Sequence, residues 1–460
     1  MKFLVTLVLL ASASSVLAAT PAVDFKIRSY KTQELKNGLT IMWLPDDSLP
    51  YISMSMMLKS GASEDPPGKE GVATFTAAML EKGTAKRSAT QIADDLEQYG
   101  IDFSGSADPD YTRVGITSLS FHRDNALKQF TEILFSPSFT NAEIERMRKN
   151  MLGGLQKLAD SPESFASYLM PRYLFGKHPY GHQPSGTPKS IKGIKRNDLQ
   201  SFYNANYSPD RAVMAVVGKY DEAWKQQVVK AMEAWKSKGS VHKELPEFPA
   251  WQGREILLVD RGDLKQAQIQ IGFKGVPRNI TEYLEVRAAL KILGESFGSR
   301  LFEEIRVKRG LTYHIRAWFD PRMQTGPMGI YTFTRVDKIG ETVTETLNTY
   351  KKFVAEGVTD KEVEVVKALM RGQFPRTFET PEALGSNLLM LNLYGVSPDY
   401  LTNYFANLDA MTKDSINKAI KKYFDTENLR ILVYAPKEKA EPSLKALGKL
   451  EIKNYKDFLQ

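Results

Sequence analysis

Ile52-Ser-Met-Ser-Met-Met-Leu-Lys-Ser-Gly61 and Ala267-Gln-Ile-Gln-Ile-Gly-Phe-Lys-Gly275 place apolar residues at nearly every second position, the period of a half-buried β-strand. They are one pair among four. Val114-Gly-Ile-Thr-Ser-Leu-Ser120 is echoed by Met328-Gly-Ile-Tyr-Thr-Phe-Thr334, each followed by a charged turn and a helical pattern. Thr140-Asn-Ala-Glu-Ile-Glu-Arg-Met-Arg-Lys149 is echoed by Thr359-Asp-Lys-Glu-Val-Glu-Val-Val-Lys367, both opening on Thr as an N-cap with acidic residues in the first turn. Arg211-Ala-Val-Met-Ala-Val-Val217 matches Leu429-Arg-Ile-Leu-Val-Tyr434. The offsets stay between about 214 and 219 residues, which describes a duplicated unit. Each copy mixes antiparallel strands with helices, so the expected fold is α+β with helices packed on a sheet.

The joint falls in Ser237-Lys-Gly-Ser-Val-His-Lys-Glu-Leu-Pro-Glu-Phe-Pro249, which is polar, poorly periodic and rich in chain breakers. The expected division is a leader at 1–19, an N-terminal unit at 24–236, a linker at 237–250, a C-terminal unit at 251–447 and a tail at 448–460. The leader reads as a secretory signal: Met1-Lys2, an apolar run over 3–10, and Val16-Leu17-Ala18 before cleavage after Ala18 or Ala19. The run is too short for a stable membrane span, and no later stretch approaches the length of one. The chain has no Cys, which excludes a lipoprotein anchor, disulfides and thiolate metal sites. A short bacterial-type signal sets the expectation of a periplasmic protein. Removal of the leader deletes one charge, Lys2, and leaves 61 basic against 54 acidic residues, a net charge of +7. Those charges are interleaved without a nucleic-acid-binding motif, so a solvated lysine-rich surface is expected and no nucleic-acid partner.

A further stretch, Gly71-Val-Ala-Thr-Phe-Thr-Ala-Ala-Met-Leu-Glu-Lys-Gly-Thr84, resembles the active-site helix of the insulinase/pitrilysin zinc metallopeptidases, the inverzincins. In catalytic members that helix reads G-L-A-H-F-L-E-H-M-x-F-K-G-T. Thr74, Ala77 and Ala78 stand where the family carries His, Glu and His. The third ligand, a Glu farther along, falls near Gly153-Gly154, with Gly154 in its place. Catalytic zinc needs about three lone-pair ligands and an open position for water, and a Glu to take the water's proton. Thr offers one weak hydroxyl, and Ala and Gly offer nothing. No metal and no catalytic residue is therefore expected in this chain alone.

The second copy keeps a functional segment of the family. Gly298-Ser-Arg-Leu-Phe-Glu-Glu-Ile-Arg306-Val-Lys-Arg-Gly-Leu-Thr-Tyr313 is similar to S-S-R-L-F-x-x-L-R-x-x-x-G-L-x-Y. The resemblance implies that Arg306 and Tyr313 match the pair that reaches across the chamber to substrate near the zinc. An Arg fork and a phenol could hold a peptide carbonyl and stabilise an oxyanion. Arg306 is expected to end a helix, Gly310 to break it and Tyr313 to begin a strand, with His314 facing the other side.

The resemblance spans about residues 25 to 445 and implies two homologous domains facing each other as a clamshell around a peptide-binding chamber. It also implies a division of labour. In some bacterial members one subunit carries H-x-x-E-H and the other the Arg/Tyr pair. The expected role is thus a non-catalytic subunit of a periplasmic heterodimeric zinc peptidase, its partner a zinc-bearing paralogue and its substrate a peptide. The alternative is an inactive peptide-binding or scaffold protein, as in mitochondrial relatives that serve as structural subunits.

Other candidates read as structure. His178-Pro-Tyr-Gly-His182 is a turn fixed by Pro179 and Gly181 rather than a metal pair, and His122 and His242 are isolated. The 60–68 loop enters the degenerate helix, and Ser104 falls roughly where catalytic relatives carry an Asn. Gly294-Glu-Ser-Phe-Gly298 imitates a nucleophile elbow but lies in an expected helical stretch with no strand before it.

Overall fold

The duplicated strand patterns become two six-stranded sheets in a computed structural model that describes residues 27–237 and 244–459. The expected leader, His242 and the rest of the 238–243 part of the linker lie outside the described residues. The first sheet is built from β1 (Lys31–Glu34), β2 (Thr40–Pro45), β3 (Tyr51–Leu58), β4 (Asp102–Ala107), β5 (Thr112–Leu119) and β6 (Ala212–Gly218), in the order β1-β2-β6-β3-β5-β4. The second is built from β7 (Glu255–Asp260), β8 (Gln266–Lys274), β9 (Ile315–Phe319), β10 (Pro327–Arg335), β11 (Arg430–Ala435) and β12 (Lys449–Asn454), in the order β12-β7-β11-β8-β10-β9. Five strands of each sheet follow one shared order, so the duplication is a duplication of topology. Pairing is mostly antiparallel, with β2 parallel to β6 and β7 parallel to both β11 and β12. The C-terminal segment expected as a tail is therefore corrected: β12 pairs along the whole of β7 and closes the sheet edge.

The strands do not turn their polar side to water as the alternation suggested. In the first sheet, Ile41, Trp43, Met54, Met56, Met214 and Val216 face helices of their own half. Their alternates Met42, Leu44, Met57, Val213, Ala215 and Val217 face the other way, into the core of the second half. There the Pro381–Leu393 helix lies across β6, β3 and β2. In return the Pro162–Phe175 helix of the first half lies on β8 and β11 of the second sheet. Phe165, Leu169, Met170 and Leu174 pack there on Leu257, Val259, Leu432 and Tyr434. Each half lends one helix to the other's sheet.

Close approach is secured by a missing side chain on each side. A Cβ on Gly272 of β8 would lie 2.5 Å from Leu174, and one on Gly385 would lie 3.0 Å from Val217. The strand polar residues meet serines of the visiting helices. Gln270 donates to Ser167 Oγ at 3.1 Å, and Arg113 bridges Ser55 and Ser386 at 3.1 and 2.9 Å. Covered on both faces, β6 and β11 are buried along their whole length.

Leu169 is 2 % exposed. Leu169→Ala should therefore lower unfolding free energy by about 2–5 kcal/mol. Trp43, Trp224 and Trp235 of one half and Trp251 and Trp318 of the other should report one coincident denaturant transition at a lower midpoint.

Candidate functional site

The degenerate helix keeps a firm mounting. The 60–68 loop carries one helical turn, Ala62–Glu64, and then Asp65, whose two carboxylate oxygens accept from Gly71 N at 2.6 Å and Ala73 N at 2.9 Å. These are orphan donors at the start of the Val72–Met79 helix, so a buried carboxylate does the capping. Burial pushes the Asp65 carboxyl well above its ordinary value, against the pull of the two amides. Gly71 sits at φ 93°, a left-handed conformation that lets its backbone approach Gly186. At the helix end, Gly105 of β4 comes so near that a Cβ would lie 2.7 Å from Ala77 O.

On this mounting the zinc donors are missing. Thr74 Oγ1 is buried with no hydrogen-bond partner among the described residues, and Ala77 is almost wholly buried. Gly153 and Gly154 lie in the Asn141–Leu158 helix with nothing within 4 Å of an added Cβ, so neither position is a glycine because of crowding at the Cβ. One hydroxyl and three positions without donor atoms do not fit zinc. Among the described residues no group of three or more His, Cys, Asp or Glu could hold a metal ion, and no helix is long and apolar enough to cross a membrane.

Arg306 and Tyr313 do come together. The Arg306 guanidinium carbon lies 4.3 Å from the Tyr313 ring centroid and 4.7 Å from that of Phe302. The local structure differs from the expected helix and strand. Arg306 sits inside a π-wound segment, Phe302–Lys308, and Tyr313 lies two residues before β9, 73 % exposed. Wider π turns re-aim side chains that an α-helix would hold in register. His314 is likewise outside the strand and exposed, so strand alternation does not set its direction. The turn is held through its carbonyl, which accepts from Thr312 and Thr332 at 2.9 Å each. Partial burial and the charge of Arg316 hold the His314 imidazole below its ordinary pKa. Arg316 in turn lies 3.6 Å from Glu163, the first turn of the exchanged Pro162–Phe175 helix. Among the described residues Arg306 has no ion-pair partner, whereas Arg309 bridges Glu304 and Glu345 at 3.1 and 2.9 Å.

The His178–His182 stretch is a joint between the halves. His178 receives Tyr180 N on Nδ1 at 3.0 Å and meets Pro246 O of the linker through Nε2 at 2.9 Å. Tyr180 donates to Asp110 Oδ1 at 2.5 Å and accepts from Gln324 N at 3.2 Å, while Met323 N reaches Asp110 Oδ2 at 2.9 Å. Burial raises the Asp110 carboxyl above its ordinary value. Composition marked this loop only as a turn; a buried Tyr between two glycine-bearing turns was the available signal. Ser104 lies on the edge strand β4. The 294–298 stretch is not helical throughout: the helix runs into a π-wound segment, Lys291–Glu295, and Ser296 turns extended.

Comparison with known proteins agrees with this fold. The family model of insulinase (peptidase family M16) matches residues 44–187, and that of the peptidase M16 inactive domain matches residues 193–370. The chain belongs to the insulinase, or M16, peptidase family. It is similar to the crystal structure of a peptidase M16 inactive domain from Pseudomonas fluorescens, at 26% identity and a TM-score of 0.82 over 88% of this chain and 98% of that one. Among curated relatives, an uncharacterized zinc protease YmxG of Bacillus subtilis is 24% identical, over 88% of this chain and 98% of its own. A non-peptidase homolog YmxG of Helicobacter pylori is also 24% identical, over 88% and 94%. Relatives of this fold thus carry names of both kinds, and the donor set places this chain with the inactive members.

Two outcomes follow from the mounting and the joint. Thr74→His/Ala78→His/Gly154→Glu should bind about one zinc ion per chain by titration calorimetry, where the parent binds none at that site, because only donors are lacking. Tyr180→Phe should cost about 1–3 kcal/mol in thermal unfolding, leaving Gln324 N and a buried carboxylate short of a partner. The Tyr180 hydrogen bond favours charged Asp110. The penalty should therefore be larger above the raised Asp110 pKa than in acid, where the carboxyl is protonated.

Proposed function

We propose that this chain is the non-catalytic subunit of a two-chain periplasmic zinc peptidase and lends Arg306 and Tyr313 to a zinc-bearing H-x-x-E-H paralogue. The observation that carries the reading is the state of Arg306. Its guanidinium is stacked between Phe302 and Tyr313, and among the described residues it has no carboxylate partner. Stacking orients the planar fork while leaving its N–H donors unspent, which suits a peptide carbonyl that gains negative charge under attack. Tyr313, mostly exposed on the turn beside it, supplies a second donor. Among the described residues there is no donor set for zinc, and in this reading the metal, and the water it activates, belong to the partner.

In this arrangement Arg306 and Tyr313 bind and orient the scissile carbonyl and stabilise the oxyanion. They move no proton. Their contribution is worth most when the site is closed from water, since hydrogen bonds to developing charge strengthen in a low dielectric.

The decisive experiment is hydrolysis of quenched fluorescent peptides by this chain, by the zinc-bearing paralogue and by their mixture. Activity should require the mixture and vanish on chelation. In the mixture Arg306→Ala should lower kcat/KM by about 10²–10³ with the mass of the complex unchanged in light scattering. If the mixture is no faster than the paralogue alone, the scaffold or peptide-binder reading replaces this one.

A further inference from the structure

Phe297 is 88 % exposed, an aromatic ring left in solvent at a turn where a polar residue would serve a merely structural purpose. Its ring meets Phe302 edge to face at 5.3 Å, and Phe302 is the ring on which Arg306 lies. Phe297, Phe302, Arg306 and Tyr313 therefore form one continuous row. Beyond Phe297 the row opens into a groove of ≈ 350 Å³ between the 296–299 turn and the Asp360–Gln373 helix. Ile292, Val365, Val366 and Leu369 line it, and Val365 is itself 61 % exposed. The Lys291–Glu295 π-wound segment on one side and the Phe302–Lys308 segment on the other hold the turn.

The rim of the groove is basic. Glu362 is taken by Arg300 through two hydrogen bonds of 2.7 and 2.8 Å, and Glu295 by Arg287 at the same distances. Lys291 shares that Glu295 at 3.4 Å and donates to Gln373 Oε1 at 3.0 Å; with Lys361 it leaves the lining of the mouth with more positive than negative charge over an apolar floor. Such a surface favours a large apolar side chain carried on an acidic or neutral segment and disfavours a basic one.

We infer that this groove is a peptide subsite that anchors a bulky apolar side chain of the extended substrate whose carbonyl Arg306 holds. The inference rests on the proposed role of Arg306. The contacts from Phe297 through Phe302 to Arg306 sum to at most about 10 Å, and an extended chain advances about 3.3 Å per residue. The anchored side chain therefore lies within about three residues of the held carbonyl. The groove has ample room for an aromatic side chain, which Phe297 would close over from the solvent side.

The test uses fluorescein-labelled twelve-residue peptides of Asp, Ser and Ala bearing a single Phe, or Ala in its place, with binding to the full mature chain read by anisotropy. The Phe peptide should bind about tenfold tighter than its Ala counterpart. Phe297→Ser, a change at an exposed position, should erase that preference, and Val365→Lys should do the same. Arg306→Ala should weaken both peptides alike. Retained Phe preference in both groove variants, with Arg306→Ala still weakening binding, overturns the subsite and leaves the role of Arg306 standing. Loss of preference in the groove variants with no effect of Arg306→Ala overturns the link to Arg306. Replacing the Asp residues by Lys should weaken binding of the Phe peptide by a salt-sensitive factor; equal binding overturns the basic-rim argument.

Discussion

The exchange of one helix between the two halves is the constraint on which the rest depends. A sheet covered on one face has a free choice of partner for the other; here that choice is made by a helix of the opposite half. Pro162–Phe175 on the second sheet and Pro381–Leu393 on the first convert two repeats into one cooperative body. The exchange also positions chemistry. The visiting helix carries Glu163 in its first turn, beside Arg316, and so brings the first half against the strand edge that follows Tyr313.

Much of this was legible. Period-2 strands, a near-constant offset and Gly/Pro punctuation located both copies, because a sheet core constrains every second residue. The exchange was not legible. Gln268 and Gln270 read as a solvent face, yet they are buried under a helix from another part of the chain. Residues 162–175 offer Phe165, Ala166, Leu169, Met170, Leu174 and Phe175 for burial, which says that one side of the helix is covered but not by what. The tail was misjudged for a related reason: Lys449–Asn454 carries alternate charges fit for an edge strand, and only pairing with β7 identifies it as one. At the site, residue identity located the Arg306/Tyr313 pair. Its backbone escaped, since π winding leaves no periodic mark in so short a segment.

The contrast between the two half-sites is one of mounting against chemistry. Asp65 still caps the helix that lost its zinc donors, Gly105 still lets β4 approach it, and open space remains beside Gly154. The features that survive are those the fold needs. A buried carboxylate pairing two amides, or a glycine under a close contact, cannot change without structural cost. The donor positions are less constrained, since Thr and Ala also fill the helix face, at the cost of one buried unpaired hydroxyl on Thr74 among the described residues. A missing donor set and an intact fold are therefore compatible in the same described segment.

The exchanged helices also dictate an order of events during synthesis. The Pro162–Phe175 helix cannot be covered until β11 has emerged, and β11 ends at Ala435, close to the end of the chain. Until then Phe165, Leu169, Met170 and Leu174 face water, as does one side of β2, β3 and β6 awaiting Pro381–Leu393. The first half therefore waits through about 200 further residues (435 − 237) with an apolar face uncovered. Such contacts between distant parts of the chain slow folding and lengthen exposure to aggregation. A nascent chain of this kind makes a lasting demand on holding chaperones, and a fragment ending at the linker is born without its cover.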